Sequence, residues 1–215
     1  MKTKRVTMIG MMCAIAYVVM VVGRIPVVMF LKYDPKDVII TIGGFIFGPM
    51  AAFAISSIVS LVEMFTVSDT GPIGLAMNIL SSCSFACVAA WIYQKKHTMK
   101  GAVTGLITGG ILCVAVMMLW NYLVTPIYMG YPREAVAELL LPAILPFNLL
   151  KVGINGALTV LLYKPVVTAL RRAGLIEGSK SGVAREGKKK TGIMLVAFVL
   201  LVTCILAILV MQGVI

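Results

Sequence analysis

Acidic residues are scarce in this 215-residue sequence, eight in all against nineteen lysines and arginines, and histidine occurs once. That histidine, His97, sits among lysines in a polar break, and Cys13, Cys83, Cys87, Cys113 and Cys204 all lie inside apolar runs. Neither a disulfide framework nor a zinc site follows from such placement. Cys83 and Cys87 share a helix face, yet two thiols without further ligands are small packing residues and receive no chemistry. No GxxxxGK[ST] phosphate loop, HExxH, nucleophile elbow or ladder of charges for a proton relay occurs. The sequence therefore predicts neither catalysis nor ATP hydrolysis. If the chain drives accumulation of a solute, the energy must enter through another subunit.

What is abundant is apolar surface. Hydrophobic residues make up 60% of the chain and charged ones 13%, more apolar area than a single water-soluble core hides. Lipid must take the place of water around much of it. The apolar runs are continuous and lack a period of two, which favours an all-α integral membrane bundle over a barrel. The net charge of +11 arises from blocks of lysine and arginine beside apolar runs, so anionic headgroups and the positive-inside rule account for it, and nucleic acid is not an expected partner.

Apolar spans fall at 6–23, 38–67, 72–93, 101–125, 142–163 and 192–211. The first lacks a small-residue cleavage pattern and is expected to remain as a helix. Residues 38–67 form about 45 Å of helix, too long for one comfortable span. Gly48 and Pro49 break it, because proline has no amide proton and pushes its predecessor out of α geometry. Splitting the run there places the amino terminus, the Lys95 to Lys100 loop and the basic stretch after Arg172 together on the cytoplasmic side. Charge counting accepts the opposite orientation of the first segment about equally well, and the break decides. The expected organisation is a six-helix membrane domain over 1–172, a basic cytoplasmic linker over 173–191 and an additional carboxyl-terminal helix over 192–215.

Lys151 falls near the middle of the last span before the linker, where a lysine costs roughly 2.5–3.5 kcal/mol without a partner or water-filled cavity. Asn148 and Asn155, one turn to either side, extend it into a polar stripe. Two readings stand: a solute site, or an ion pair with Glu63 that holds the bundle together. Asn78 is another amide inside an apolar run and needs a hydrogen-bond partner on a neighbouring helix or a ligand. Trp120, Asn121 and Tyr122, with Tyr128 and Tyr131 beyond, fit an interfacial aromatic belt or a flat wall for a planar ring. Gly10 and Ala14 form a small-xxx-small pair that suits close helix approach, either within the chain or with a partner.

The segments Leu31-Lys32-Tyr33-Asp34-Pro35-Lys36-Asp37, Gly43 to Pro49 and Pro146-Phe147-Asn148-Leu149-Leu150-Lys151 together resemble the riboflavin-binding S component of energy-coupling-factor (ECF) transporters, over the chain from its first helix to about Arg172. The resemblance implies six helices, two of them within 38–67, and a first loop folded over an outward-facing pocket. Leu31, Lys32, Tyr33 and Asp34 would close over the flavin. Asn78, the Trp120-Asn121-Tyr122 segment, and Phe147, Asn148 and Lys151 would line the pocket. Gly10 and Ala14 stand where the family has an AxxxA contact with a membrane coupling subunit, with glycine in place of the first alanine. Implied partners are that coupling (T) subunit and two cytosolic ATPases; riboflavin is the transported ligand and no cofactor is implied. The alternatives are the same fold serving another vitamin, such as pantothenate or thiamine, a non-transporting membrane scaffold, or an intramembrane enzyme. The helix at 192–211 departs from the six-helix pattern.

Overall fold

Glycine 48 decides how the longest apolar run folds. A computed structural model of the chain describes residues 2–28, 31–68, 70–130, 132–173 and 187–212. Helix α1 covers Lys2–Gly23, α2 Lys36–Phe47 and α3 Pro49–Thr66. Gly48 joins α2 to α3 at φ 95°, a conformation open to glycine, and Pro49 begins α3, where no amide proton is required. The sequence break and the structural break coincide.

Helices α4 (Gly71–Ser82) and α5 (Val88–Lys96) are joined without interruption by a π turn, Cys83–Cys87. Helix α6 runs over Met99–Met129, with Thr98 capping it by accepting from the Gly101 amide. Between the spans at 101–125 and 142–163 the chain forms the short helix α7, Arg133–Leu139, which passes through a second π turn, Leu140–Ile144, into α8, Leu145–Arg172. Helix α9 covers Gly187–Met211. Residues 174–186 of the basic linker, and Tyr131, lie outside the described residues.

Six helical stretches among the described residues are long and apolar enough to cross a membrane. Helix α2 is not one of them. Twelve residues make roughly 18 Å of helix, and its buried positions, Val38, Ile40, Thr41, Ile42, Gly43, Gly44 and Phe45, face neighbours on all sides. It is the axis around which α1, α3, α5 and α8 pack. One exception to the all-α expectation is a two-stranded antiparallel hairpin, β1 (Ile25–Val28) and β2 (Leu31–Tyr33), pairing Ile25 with Tyr33 and Pro26 with Lys32. Pro26 forbids continuation of α1, and β-branched Ile25, Val27 and Val28 favour an extended chain.

The two ends of the bundle differ in charge. At one end Arg5 of α1 donates to the Phe47 carbonyl at 2.7 Å, Gln94 lies against Gly48, and Lys96 lies against Gly101. Tyr93 and Tyr163 share a hydrogen bond of 2.7 Å above Phe45, closing the bundle there with aromatic rings. The hairpin occupies the other end. The five cysteines are unbridged, and the Cys87 thiol donates to the Pro49 carbonyl at 3.6 Å, a packing role.

Helix α6 approaches α5 and the first π turn through Gly105 and Gly109. A Cβ on Gly109 would stand 2.5 Å from the Phe85 carbonyl oxygen, and one on Gly105 would stand 2.7 Å from that of Ala89. Backbone cannot yield as a side chain does. Gly109→Val is expected to destabilise the bundle by about 2 kcal/mol or more, read as a melting midpoint lowered by several degrees in detergent; an unchanged midpoint would show that this helix contact is loose.

Candidate functional site

Charged side chains deep in this bundle are arranged as two linked groups. Arg24, directly after α1, donates from Nε to Asp34 Oδ1 at 2.8 Å, from Nη1 to the Val67 carbonyl at 3.2 Å, and from Nη2 to Glu63. Lys36, at the start of α2 and wholly buried, donates to the other oxygen of Glu63 and lies 3.8 Å from Asp34 Oδ2. Arg24, Asp34, Lys36 and Glu63 thus close a ring of alternating sign. Because Arg24 precedes β1 and Asp34 follows β2, the ring ties both legs of the hairpin to α2 and α3.

Asp37 centres the second group. It accepts from Ser82 Oγ and, at 3.4 Å, from Asn155 Nδ2, and Lys151 Nζ lies 3.3 Å away. Lys151 also donates to Ser81 Oγ at 3.1 Å. Of the two readings left open for Lys151, the ion pair with Glu63 does not form. Glu63 is taken by Arg24 and Lys36, and α2 enters the bundle deeply enough to put Asp37 beside α8. Asp37 was read as part of a loop, and its distance along the sequence from Lys151 gave no sign of the contact.

Tyr33 connects the groups to the hairpin. Its hydroxyl donates to Asn155 Oδ1 at 2.8 Å, while burial, then Asp37 and Asp34, push the phenol well above its ordinary range. It therefore stays protonated and a donor at any physiological pH.

Between these groups and the hairpin lies a cavity of about 420 Å³, inside the range of roughly 300–1,000 Å³ usual for small-molecule pockets. Leu31, Lys32 and Asp34 form its hairpin side, and Met77, Met117 and Phe147 its apolar walls. Asn78, Ser81, Asn121, Asn148 and Lys151 supply the polar wall, with Arg24, Glu63, Ser68 and Thr70 completing the rim. Lys151 lines the cavity, and Ser81 and Asp37 take two of its three ammonium protons, which leaves one for a solute. The Asn148 and Asn121 amides donate to the carbonyls one turn earlier, Ile144 at 2.8 Å and Met117 at 2.7 Å. That fixes both side chains, and Asn78 makes no hydrogen bond among the described residues. The two π turns flank the cavity: Ser81 comes just before one, and Phe147 and Asn148 follow the other. Such turns rotate the helix face locally and are frequent at functional sites.

Eight of the residues singled out from sequence meet at the cavity: Leu31, Lys32, Asp34, Asn78, Asn121, Phe147, Asn148 and Lys151. Tyr33, Trp120 and Tyr122 do not line it. Successive helical residues are about 100° apart, so Asn121, by facing inward, turns its neighbours aside. Trp120 packs beside the Phe45, Phe85 and Met117 cluster, and Tyr122 lies outside with the Arg133 guanidinium 5.8 Å from its ring centre. Among the described residues, the aromatic ring at the cavity is Phe147. Arg24, Ser81, Ser68, Thr70, Met77 and Met117 carried no signal of their own in sequence. Only Arg24, a charge at the end of a span, was open to suspicion. Gly10 and Ala14 are both exposed on the outer face of α1, and a Cβ on Gly10 would meet open space; packing within the chain is not their role.

Removing one partner of a buried ion pair leaves the other uncompensated. Lys36→Met is therefore expected to cost about 3–5 kcal/mol of stability, with most of it regained in Lys36→Met/Glu63→Gln, where Arg24 still holds Asp34. Thermal unfolding in detergent measures both, and equal midpoints for the single and double variants would disprove the ring's role.

The chain matches the family model for the ECF transporter substrate-specific component over residues 4–163. It is 30% identical over 181 residues to the riboflavin transporter RibU of Staphylococcus aureus, covering 80% of this chain and 94% of that one. To the riboflavin transporter FmnP of Bacillus subtilis it is 26% identical, covering 80% and 98%. A solved structure of the S component of a bacterial ECF transporter superposes with a TM-score of 0.68 at 30% identity, over 80% of this chain and all of that one. With the family match spanning most of the bundle and the cavity residues Leu31 to Lys151 inside it, the chain belongs to the substrate-specific components of ECF transporters.

Proposed function

We propose that this chain captures riboflavin at the outer face of the cytoplasmic membrane, in the cavity beneath the hairpin, as the binding subunit of an ECF transporter. The observation that carries this reading is the wall formed by Asn78, Asn121, Asn148, Ser81 and Lys151 opposite Met77, Met117 and Phe147. Riboflavin has a planar ring system with one apolar and one polar edge, and a chain of hydroxyls. A cavity with one apolar and one hydrogen-bonding wall suits both parts. The three cations Arg24, Lys36 and Lys151 meet the three carboxylates Asp34, Asp37 and Glu63, so the buried floor of the site offers donors and acceptors in balanced charge, while Lys32 adds one cation on the hairpin side. The names of the relatives from Staphylococcus aureus and Bacillus subtilis support the same solute.

Orientation follows from the charge asymmetry. The end that bears Arg5, Lys95, Lys96 and Lys100 is the basic one and belongs in the cytoplasm, with the amino terminus; the cavity at the opposite end then opens outward. Neither a phosphate-binding loop nor a proton relay occurs in the sequence, so a membrane coupling subunit and two cytosolic ATPases supply the driving force. Gly10 and Ala14, exposed in the basic half of α1, provide a smooth face on which a helix of the coupling subunit packs.

Two predictions follow from this assignment. Purified protein quenches riboflavin fluorescence on binding, and Asn148→Ala, or Lys151→Met made together with Asp37→Asn so that no buried charge is left uncompensated, weakens binding by about 10–100-fold, the value of one hydrogen bond involving a charged or buried group, with melting curves confirming the fold. Folded parent protein that leaves riboflavin fluorescence untouched would refute the solute. Ala14→Leu is expected to lower co-purification with the coupling subunit while riboflavin affinity stays unchanged; undiminished co-purification would move the docking face elsewhere.

A further inference from the structure

Helix α9 lies beyond the segment matched by the family model, which ends at residue 163. Most of its large side chains, among them Phe198, Leu206 and Val210, are exposed to the lipid side. Its buried residues Cys204 and Ile208 stand one turn apart on the face toward α8 and the hairpin. Gly153 of α8 admits the helix closely, since a Cβ there would lie 3.0 Å from Cys204 Sγ. Cys204 and Ile208 share one apolar cluster with Val27, Leu31 and Tyr33 of the hairpin, and one turn further the Gln212 side-chain amide donates to the Pro26 carbonyl of β1. Leu31 thus touches the cavity on one side and this cluster on the other.

A two-stranded hairpin is marginally stable by itself and takes its order from what it packs against. The ionic ring holds its base. Over its back, the α9 contacts supply apolar packing and an acceptor's partner at the edge of the sheet. We propose that α9 is a positioning element for the binding site: Ile208 and Gln212 hold the Ile25–Tyr33 hairpin over the cavity and thereby set how fast a bound solute leaves. This rests on the assignment of the cavity as the riboflavin site, and it adds a role for a helix outside the family match.

The test uses the full chain in lipid nanodiscs, with Gln212→Leu alone and together with Ile208→Ala, and Leu206→Ala on the lipid-facing side as control. Hydrogen exchange of the hairpin amides is followed first, without any solute. The double variant is expected to raise exchange across β1 and β2 by about tenfold or more, Gln212→Leu by less, and the control not at all. Riboflavin release, chased with excess unlabelled competitor, accelerates in the same order. Gln212 is exposed and follows the last residue of α9, so its substitution removes the donor without disturbing a buried contact. Parental exchange in both variants would overturn the proposal, as would faster exchange that leaves riboflavin release unchanged. If the parent does not bind riboflavin, the solute assignment falls, and the exchange data still decide whether α9 holds the hairpin.

Discussion

Buried charge must be neutralised where it stands, and in this bundle that requirement fixes more than any other single contact. Six ionisable side chains lie within a low-dielectric interior, where an isolated ion would cost many kcal/mol and where attraction between opposite charges is correspondingly strong. Arg24 and Lys36 can both reach Glu63 only if α1, α2 and α3 meet at one depth. Lys151 reaches Asp37 only if α8 lies alongside α2. The packing of four helices is thus specified by a handful of ionic contacts, together with the close approach of Ile55, Ala52 and Ala90 to α2 at Gly43 and Gly44.

Neutrality also separates the two jobs of the polar interior. Lys36 is saturated by Glu63 and Asp34, with no side-chain surface to spare and no place at the cavity. Lys151, Asn148 and Asn121 are held by partners on one side and left facing the cavity on the other. A fixed donor that still has capacity is what a binding site needs, because a solute need not pay again for ordering it. The same chemistry is therefore structural at one end of the network and available at the other.

Much of this was legible in the sequence. Gly48-Pro49 announced its break because both residues have a backbone reason to be there. Lys151 drew attention because a lysine at mid-membrane always demands compensation, and its stripe with Asn148 and Asn155 followed from helical spacing. Its partner was not legible. Asp37 and Glu63 were both available, and only the depth to which α2 enters the bundle distinguishes them; that depth depends on packing around Gly43, Gly44 and the hairpin. The aromatic segment failed for a related reason. Trp120, Asn121 and Tyr122 are adjacent in sequence and about 100° apart on the helix, so they do not all face the cavity, and periodicity alone does not say which one does. The hairpin itself escaped notice because strands of four and three residues carry little pattern against a background of continuous apolar chain.

The hairpin joins two kinds of contact that differ in how they respond to movement. At its base, Arg24 and Asp34 are bound through directional, charged hydrogen bonds whose energy falls steeply with displacement. Toward its back, Val27 and Leu31 meet apolar side chains, and such contacts change gradually as surfaces slide or part. Displacing the base would expose uncompensated charge in the membrane interior, whereas among the described residues lifting the far part parts the apolar contacts of Val27 and Leu31 and the hydrogen bond to the Pro26 carbonyl. Any opening therefore pivots about the ionic ring, and the contacts that resist it are those remote from the pivot. The charges decide where the hairpin hinges, and the apolar packing decides how readily it lifts.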